Sequence, residues 1–206
     1  MATHAAGDPG GASQAPEVKT SGESDLNQVI ATIELSFSSD PAVRWLYPNA
    51  HQFLSSFPDF VQAFAGKAFQ HGTAHYVGEF AGAALWLPPG VHPDEDALVS
   101  VVLGATSGSK QEDVLAVLEQ MGSYHPSDPH WYLPLIGVEP AHQGKGYGSA
   151  LLRHALAHCD HNHQAAYLES SNPKNIPLYE RHGFRLVGRI QAGSSPTMYP
   201  MVRDPR

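Results

Sequence analysis

A near-continuous apolar stretch, Trp131-Tyr132-Leu133-Pro134-Leu135-Ile136-Gly137-Val138, runs into Gln143-Gly144-Lys145-Gly146-Tyr147-Gly148-Ser149, and a helical stripe follows at Leu151, Leu152, Ala155, Leu156 and Cys159. A buried strand must therefore hand over, through a glycine-rich turn, to a helix whose apolar face packs back on it. The alternating glycines remove the side chains that would keep a ligand away from the backbone. N–H groups opening a helix point outward together, and the positive end of the helix dipole makes them an anion site suited to a pyrophosphate. Lys145 adds a cation. A P-loop needs four residues between Gly and Gly-Lys-Ser/Thr, and that spacing is absent. A dinucleotide fingerprint would also place an acid near Glu169, at the end of the next strand. Its glycines, however, should sit directly on the strand; here the first, Gly144, comes six residues after Val138, and the spacing is G-x-G-x-G.

The rest of the chain reads as alternating helices and strands. Met1 to Pro16 is rich in Ala, Gly, Pro and Ser, and is expected to be a disordered tail. Residues 17–206 are expected to form one domain. A short strand is expected at Glu17 to Thr20. Helices are expected at Asp25 to Ser38, at Phe53 to Phe69 with Pro58 opening or kinking it, at Glu95 to Leu103 and at Gln111 to Met121. His75 to Glu79 and Ala81 to Leu87 read as a hairpin, and Ser39-Asp40-Pro41 as a turn. Beyond the glycine loop come a helix over Tyr147 to Cys159 and a strand at Ala165 to Leu168. A short helix over Asn175 to His182, with Pro177 inside its start and Gly183 past its end, is followed by closing strands at Phe184 to Ile190 and Met198 to Val202.

Composition narrows the function. The net charge is −8 and the pI about 5.8, which leaves no broad basic footprint for nucleic acid. Cys159 is the single cysteine, so an intramolecular disulfide and a cysteine-based zinc cluster are excluded. With no secretory leader and no membrane-spanning apolar run in the sequence, a cytoplasmic protein is expected, with no membrane partner. His154 and His158 lie at zinc-chelating spacing, with His161 and His163 nearby, but no Glu follows His154; a solvated helix face is expected and no metal. Nothing in the sequence sets the oligomeric state.

Gln143-x-x-Gly146-x-Gly148 resembles the acetyl-CoA pyrophosphate motif of the GNAT superfamily of N-acetyltransferases. Around it, His142 to Ala150, Leu168-Glu169-Ser170, and Pro173-Lys174-Asn175-Ile176-Pro177-Leu178-Tyr179-Glu180-Arg181-His182-Gly183-Phe184 are similar to the puromycin N-acetyltransferase branch of that superfamily. The specific part covers less than a third of the chain. The resemblance implies an α/β (α+β) fold, with a mixed, mostly antiparallel sheet splayed between its central strands near Val138 and helices on both faces. It implies acetyl-CoA as co-substrate and acetyl transfer to a primary amine, most simply of a small molecule. Acetylation of a protein amine, and a catalytically silent acyl-CoA-binding module, stay open as alternatives.

The same resemblance implies site residues. Ile136, Gly137 and Val138 would pair with the pantetheine arm and supply an oxyanion donor, Gly137 being read as a point of close backbone approach. Gln143, Gly144, Lys145, Gly146, Tyr147, Gly148 and Ser149 would hold the pyrophosphate. Asn175 would contact the cofactor, and is equally a candidate N-cap for the Pro177 helix. Tyr179 would be the general acid and also a cofactor contact, and Glu169 the base for the substrate ammonium. Selectivity for the acceptor is expected in Asp25 to Pro48 and in His92 to His130.

Overall fold

Near-continuous apolar runs along the central strands call for a sheet that is buried on both faces. The structure is a computed structural model and describes residues 16–206, so the tail expected at Met1 to Pro16 lies, except for Pro16, outside the described residues. Strands β1 (Val18–Thr20), β2 (Ala74–Val77), β3 (Gly82–Leu87), β4 (His130–Val138), β5 (Ala165–Ser170), β6 (Arg185–Leu186) and β7 (Tyr199–Arg203) form one sheet in the order β1-β2-β3-β4-β5-β7-β6. Every pairing is antiparallel except β4 with β5.

The parallel pairing is short. It runs His130↔Ala165, Trp131↔Ala166 and Tyr132↔Tyr167, and then stops. From Leu133 to Val138 the β5-facing edge of β4 takes no strand, so the splay begins well before Val138. Pro134 marks the transition. Tyr132 pairs with Leu87 while Leu135 pairs with Leu85, so β4 carries one extra residue, a bulge of the kind where proline is tolerated in a sheet. The side-chain phase flips there. Tyr132 and Leu135 both enter the core on one face of the sheet, whereas Leu133 and Ile136 pack on the other.

The first face is covered by α1 (Leu26–Phe37), α3 (Ala50–Ala65), α5 (Glu95–Gly104) and α6 (Ser109–Tyr124), with Ile33, Phe57, Phe64, Leu98 and Val114 meeting Leu85 and Leu87. The second is covered by α7 (Tyr147–His161) and the short α8 (Ile176–Arg181). Leu151, Leu152, Ala155, Leu156 and Cys159 of α7 pack on Ala84, Trp86 and Leu168, so the stripe read from the sequence is the buried one.

Several expected boundaries move. The Ser39-Asp40-Pro41 turn opens an additional helix, α2 (Pro41–Leu46), because the Asp40 carboxylate accepts hydrogen bonds from the N–H groups of Ala42 and Val43 and Pro41 fills the first helical position. The helix expected from Phe53 starts earlier, where Asn49 caps α3 through His51 and Gln52. It passes through Pro58 and breaks into α4 (Lys67–Gln70). The expected strand Phe184 to Ile190 shrinks to Arg185–Leu186 and a single bridge, Ile190↔Met198. The backbone leaves the sheet because the Tyr124 ring lies against Gly188, where a Cβ would stand 2.3 Å from it.

Candidate active site

The divergence of β4 from β5 opens a cleft of about 680 Å³. Its walls include Leu133 to Val138, the glycine loop, the first turn of α7, Leu168 and Glu169, and the α8 region. Of the residues singled out in the sequence, Ile136, Gly137, Val138, Gln143, Gly144, Gly146, Tyr147, Gly148, Ser149, Glu169, Asn175 and Tyr179 all line it. Lys145 is the exception: it is exposed and does not line the cleft.

The glycine loop is built for its position. Gly144 and Gly146 have φ of 78° and 82°, a left-handed conformation that other residues adopt at a cost. Gly146 is the N-cap of α7 and has no side chain to cap it. The leading N–H groups of α7 thus lack intrahelical acceptors and open beside the cleft. Gln143 donates from its amide to the Val138 carbonyl at 3.3 Å, tying the loop back to the strand. Ser149 Oγ pairs with His182 Nε2 at 3.0 Å, linking α7 to the end of α8.

Gly137 lines the cleft and is also crowded from α1. A Cβ there would lie 1.8 Å from Ser36 Oγ and 2.6 Å from Ser36 Cβ. The packing of α1 on the strand thus demands a glycine here. The free edge of β4 comes from the splay. Asn175 corrects its expectation as a cap: its side chain makes no capping bond, and the turn before α8 is capped by Asn172, whose Oδ1 accepts from the N–H of Lys174. Asn175 is exposed at the rim of the cleft it lines.

Tyr179 is buried on α8, with its ring edge-on to Phe184 at 6.1 Å between centroids. Burial pushes its phenol above the ordinary value, and the Asp40 carboxylate adds to the effect. It therefore stays protonated, and acts as a hydrogen-bond donor across the physiological range. Asp40, read from sequence only as a turn residue, also lines the cleft. Its Oδ2 accepts from Ser171 Oγ at 2.6 Å while Oδ1 caps α2. Burial raises its pKa, and these hydrogen bonds oppose the rise. The Asp-Pro pair was the available signal, since that order marks a helix start.

Glu169 is more deeply buried than a strand-ending carboxylate should be, with a side chain only 3% exposed. Oε2 accepts from the Tyr132 hydroxyl at 2.8 Å. Oε1 has no hydrogen-bond partner and faces His125 Nε2 at 3.5 Å. Neither Tyr132 nor His125 carried a sequence signal, because both belong to the short parallel contact and the loop before it. The same cleft is also walled by Phe60 and Phe64 of α3, Leu98 of α5 and Val114, Leu118 and Met121 of α6, which make part of its lining apolar.

The remaining candidates lie elsewhere. His158, His161 and His163 are exposed, and Cys159 is fully buried with its thiol pushed up to about 12 by desolvation. Among the described residues no group of three or more His, Cys, Asp or Glu side chains is arranged to hold a metal ion. Among them, too, no helix is long and apolar enough to cross a membrane.

Comparison with known proteins agrees with this geometry. The family model of the acetyltransferase (GNAT) family matches residues 42–184. An uncharacterized N-acetyltransferase of Schizosaccharomyces pombe is 29% identical over 200 residues, spanning 88% of this chain and 80% of its own. The N-alpha-acetyltransferase RimI of Mycobacterium tuberculosis is 31% identical over 130 residues, spanning 61% of this chain and 79% of its own. Among solved structures, one described as histone acetyltransferase HPA2 and related acetyltransferase from Corynebacterium glutamicum superposes with a TM-score of 0.68 at 24% identity, covering 94% of this chain and 98% of that one. That last likeness speaks to the fold.

Proposed function

The chain belongs to the GNAT family of N-acetyltransferases, and from that premise we propose that it transfers acetyl from acetyl-CoA to the primary amine of a small molecule, inside the cleft between β4 and β5. Enzymes of this family use acetyl-CoA, and the residues present fit it. The uncapped N-terminus of α7 offers N–H groups for a pyrophosphate, and the free edge of β4 offers backbone groups to an extended pantetheine arm.

In this reading Gly144, Gly146 and the first turn of α7 hold the pyrophosphate, with Gln143 fixing the loop and Asn175 at its side. A backbone N–H between Ile136 and Val138 stabilises the oxyanion formed when the amine attacks the thioester carbonyl. Glu169 takes the proton of the bound ammonium, freeing the nitrogen lone pair. Tyr179 hydrogen-bonds the departing sulfur. A phenol of ordinary pKa ~10 giving its proton to a thiolate of pKa ~8.5 is uphill by roughly 2 kcal/mol, and burial of Tyr179 raises that figure. Tyr179 thus works as a donor to developing negative charge, with water resupplying the proton.

The observation that favours a small acceptor over a protein amine is the apolar part of the cleft walled by α3, α5 and α6. It suits the hydrocarbon body of a small amine and would be left empty by a lysine side chain entering from a polypeptide. The similarity of the motif stretches to puromycin N-acetyltransferases supports a small-molecule acceptor in general and does not select puromycin. The test is acetyl transfer to a panel of primary amines with alkyl, aryl and charged bodies, alongside lysine-containing peptides, with products identified by mass spectrometry. Acetylated alkyl or aryl amines with matching release of free coenzyme A are expected. Acetylation confined to the peptides would overturn the small-molecule reading.

A further inference from the structure

On the far side of Glu169 from the cleft lies a second depression of about 220 Å³, lined by His92, His125, Asp128, His130 and Tyr132 among others. Glu169 lines the cleft and His125 lines the depression, so this pair is the partition between them. We infer that His125 is a proton relay: it takes from Glu169 the proton that the acceptor ammonium gives up and releases it to water in the second depression, away from the coenzyme side. The inference rests on the proposed role of Glu169.

The hydrogen-bond chain fixes the direction. His130 Nδ1 lies 2.8 Å from the Asp128 carbonyl. A carbonyl only accepts, so His130 carries its proton on Nδ1. Neutral His130 then presents a bare Nε2, which lies 3.0 Å from His125 Nδ1. His125 must therefore donate from Nδ1, and its own Nε2 is bare. That bare nitrogen lies 3.5 Å from Glu169 Oε1, a buried oxygen that makes no hydrogen bond and beside which the buried, unpartnered Tyr167 hydroxyl is the competing donor. Two facing acceptors lack one proton between them. The turnover of the acceptor supplies it.

The steps balance. The ammonium N–H bond breaks as the Glu169 O–H bond forms. The Glu169 O–H bond then breaks as a proton binds His125 Nε2, and the imidazolium, whose side chain is 25% exposed, loses that same Nε2 proton to water, which restores the neutral Nδ1–H ring. Glu169 is again a carboxylate and His125 neutral. His130 is a positioning residue, which acts by fixing the His125 tautomer.

The titratable groups around His125 fit that task. Tyr132 and His130 face it from β4, Tyr167 and Glu169 from β5, and Tyr124 and Asp128 flank the connection, with His92 across the depression. Burial holds the Tyr132 and Tyr167 phenols above their ordinary values, so neither competes as a base. Burial likewise lowers His130, and the His125 and His92 charges add to the effect while the Asp128 carbonyl and the Glu169 charge oppose it. His130 therefore remains neutral where the tautomer matters.

Two readouts test the relay. Histidine ring nitrogen NMR, with signals assigned through His125→Gln and His130→Gln, should show both rings protonated on Nδ1 at alkaline pH. A neutral His125 protonated on Nε2 would overturn the proposal without any acceptor being known. In turnover of the fastest panel amine, His125→Ala and His125→Gln should lower kcat by about tenfold or more with both KM values unchanged, and added imidazole should restore His125→Ala but not Glu169→Gln. Folded His125 variants that keep full kcat, or that lose it without imidazole rescue, would overturn the relay. If Glu169→Gln is inactive in the same assays, the base assignment still stands. A fully active Glu169→Gln would overturn the base assignment, and the relay with it.

Discussion

Tyr179 is the residue whose role as a donor and whose role as packing differ most in consequence. Its ring is buried against Phe184, and its hydroxyl sits at the cleft within the field of Asp40. Tyr179→Phe keeps the ring and removes only the donor. If the hydroxyl meets the sulfur as charge develops, the loss falls on the transition state. Steady-state kinetics should then show kcat lower by ~10²–10⁴-fold with acetyl-CoA affinity and melting temperature nearly unchanged. Unchanged kcat would make Tyr179 a packing residue. The sequence made the motif residues legible because backbone-level demands leave a glycine signature. The partners that hold Glu169 were not legible. Tyr132 and His125 act from β4 and the loop before it, and only the three-residue parallel contact brings them to the carboxylate. Nothing in local spacing reports such a contact.

At the scale of elements, the α1–β4 contact is the most exposed to a single change. Gly137→Ala would drive a Cβ into Ser36, and overpacking of this kind costs ~1–3 kcal/mol. Chemical denaturation should show that loss, and Ser36→Gly in the same chain should recover part of it, net of the ~1 kcal/mol cost of a helical glycine. No recovery would mean that Gly137 is needed for something other than α1. The β2–α7 contact carries a pH dependence. His75 is 6% exposed, with its ring 4.6 Å from that of His154. Burial, with the His154 and His158 charges adding, lowers its pKa to about 4. The folded state thus refuses a proton that the unfolded chain accepts below about 6.5. Stability from this site is complete above about pH 6.5 and is lost as pH falls towards 4. The loss reaches at most ~3 kcal/mol. Denaturation midpoints measured across that window should fall for the wild type and fall less for His75→Leu. The helices and strands with clean periodicity, α1, α7 and β3, were readable in advance. β6 and the bridge at Ile190 were not, because the Tyr124 ring pulls the chain off the sheet, a contact between segments far apart in sequence.

For the whole molecule, the resemblance of the glycine loop and its flanking stretches to the GNAT superfamily indicated a mixed sheet with helices on both faces, which element order alone did not fix. The shape of the apolar part of the cleft could not be read. Phe60, Leu98, Val114 and Met121 are ordinary core residues in sequence, and only the packing of α3, α5 and α6 leaves space between them. The claim on which the account depends is that the N-terminus of α7 and the two left-handed glycines hold the pyrophosphate of acetyl-CoA. Gly146→Val tests it most directly. The position is exposed, and a Cβ there meets nothing within 4 Å, so the change costs only the backbone strain of φ 82°, ~1–2 kcal/mol, and the fold should survive. Calorimetric titration with acetyl-CoA should show clear binding to the wild type and binding weaker by about tenfold or more in the folded variant, since roughly 1.4 kcal/mol of lost backbone contact gives that factor. Equal affinity in the two proteins would contradict the account and take the glycine loop out of the acetyl-CoA site.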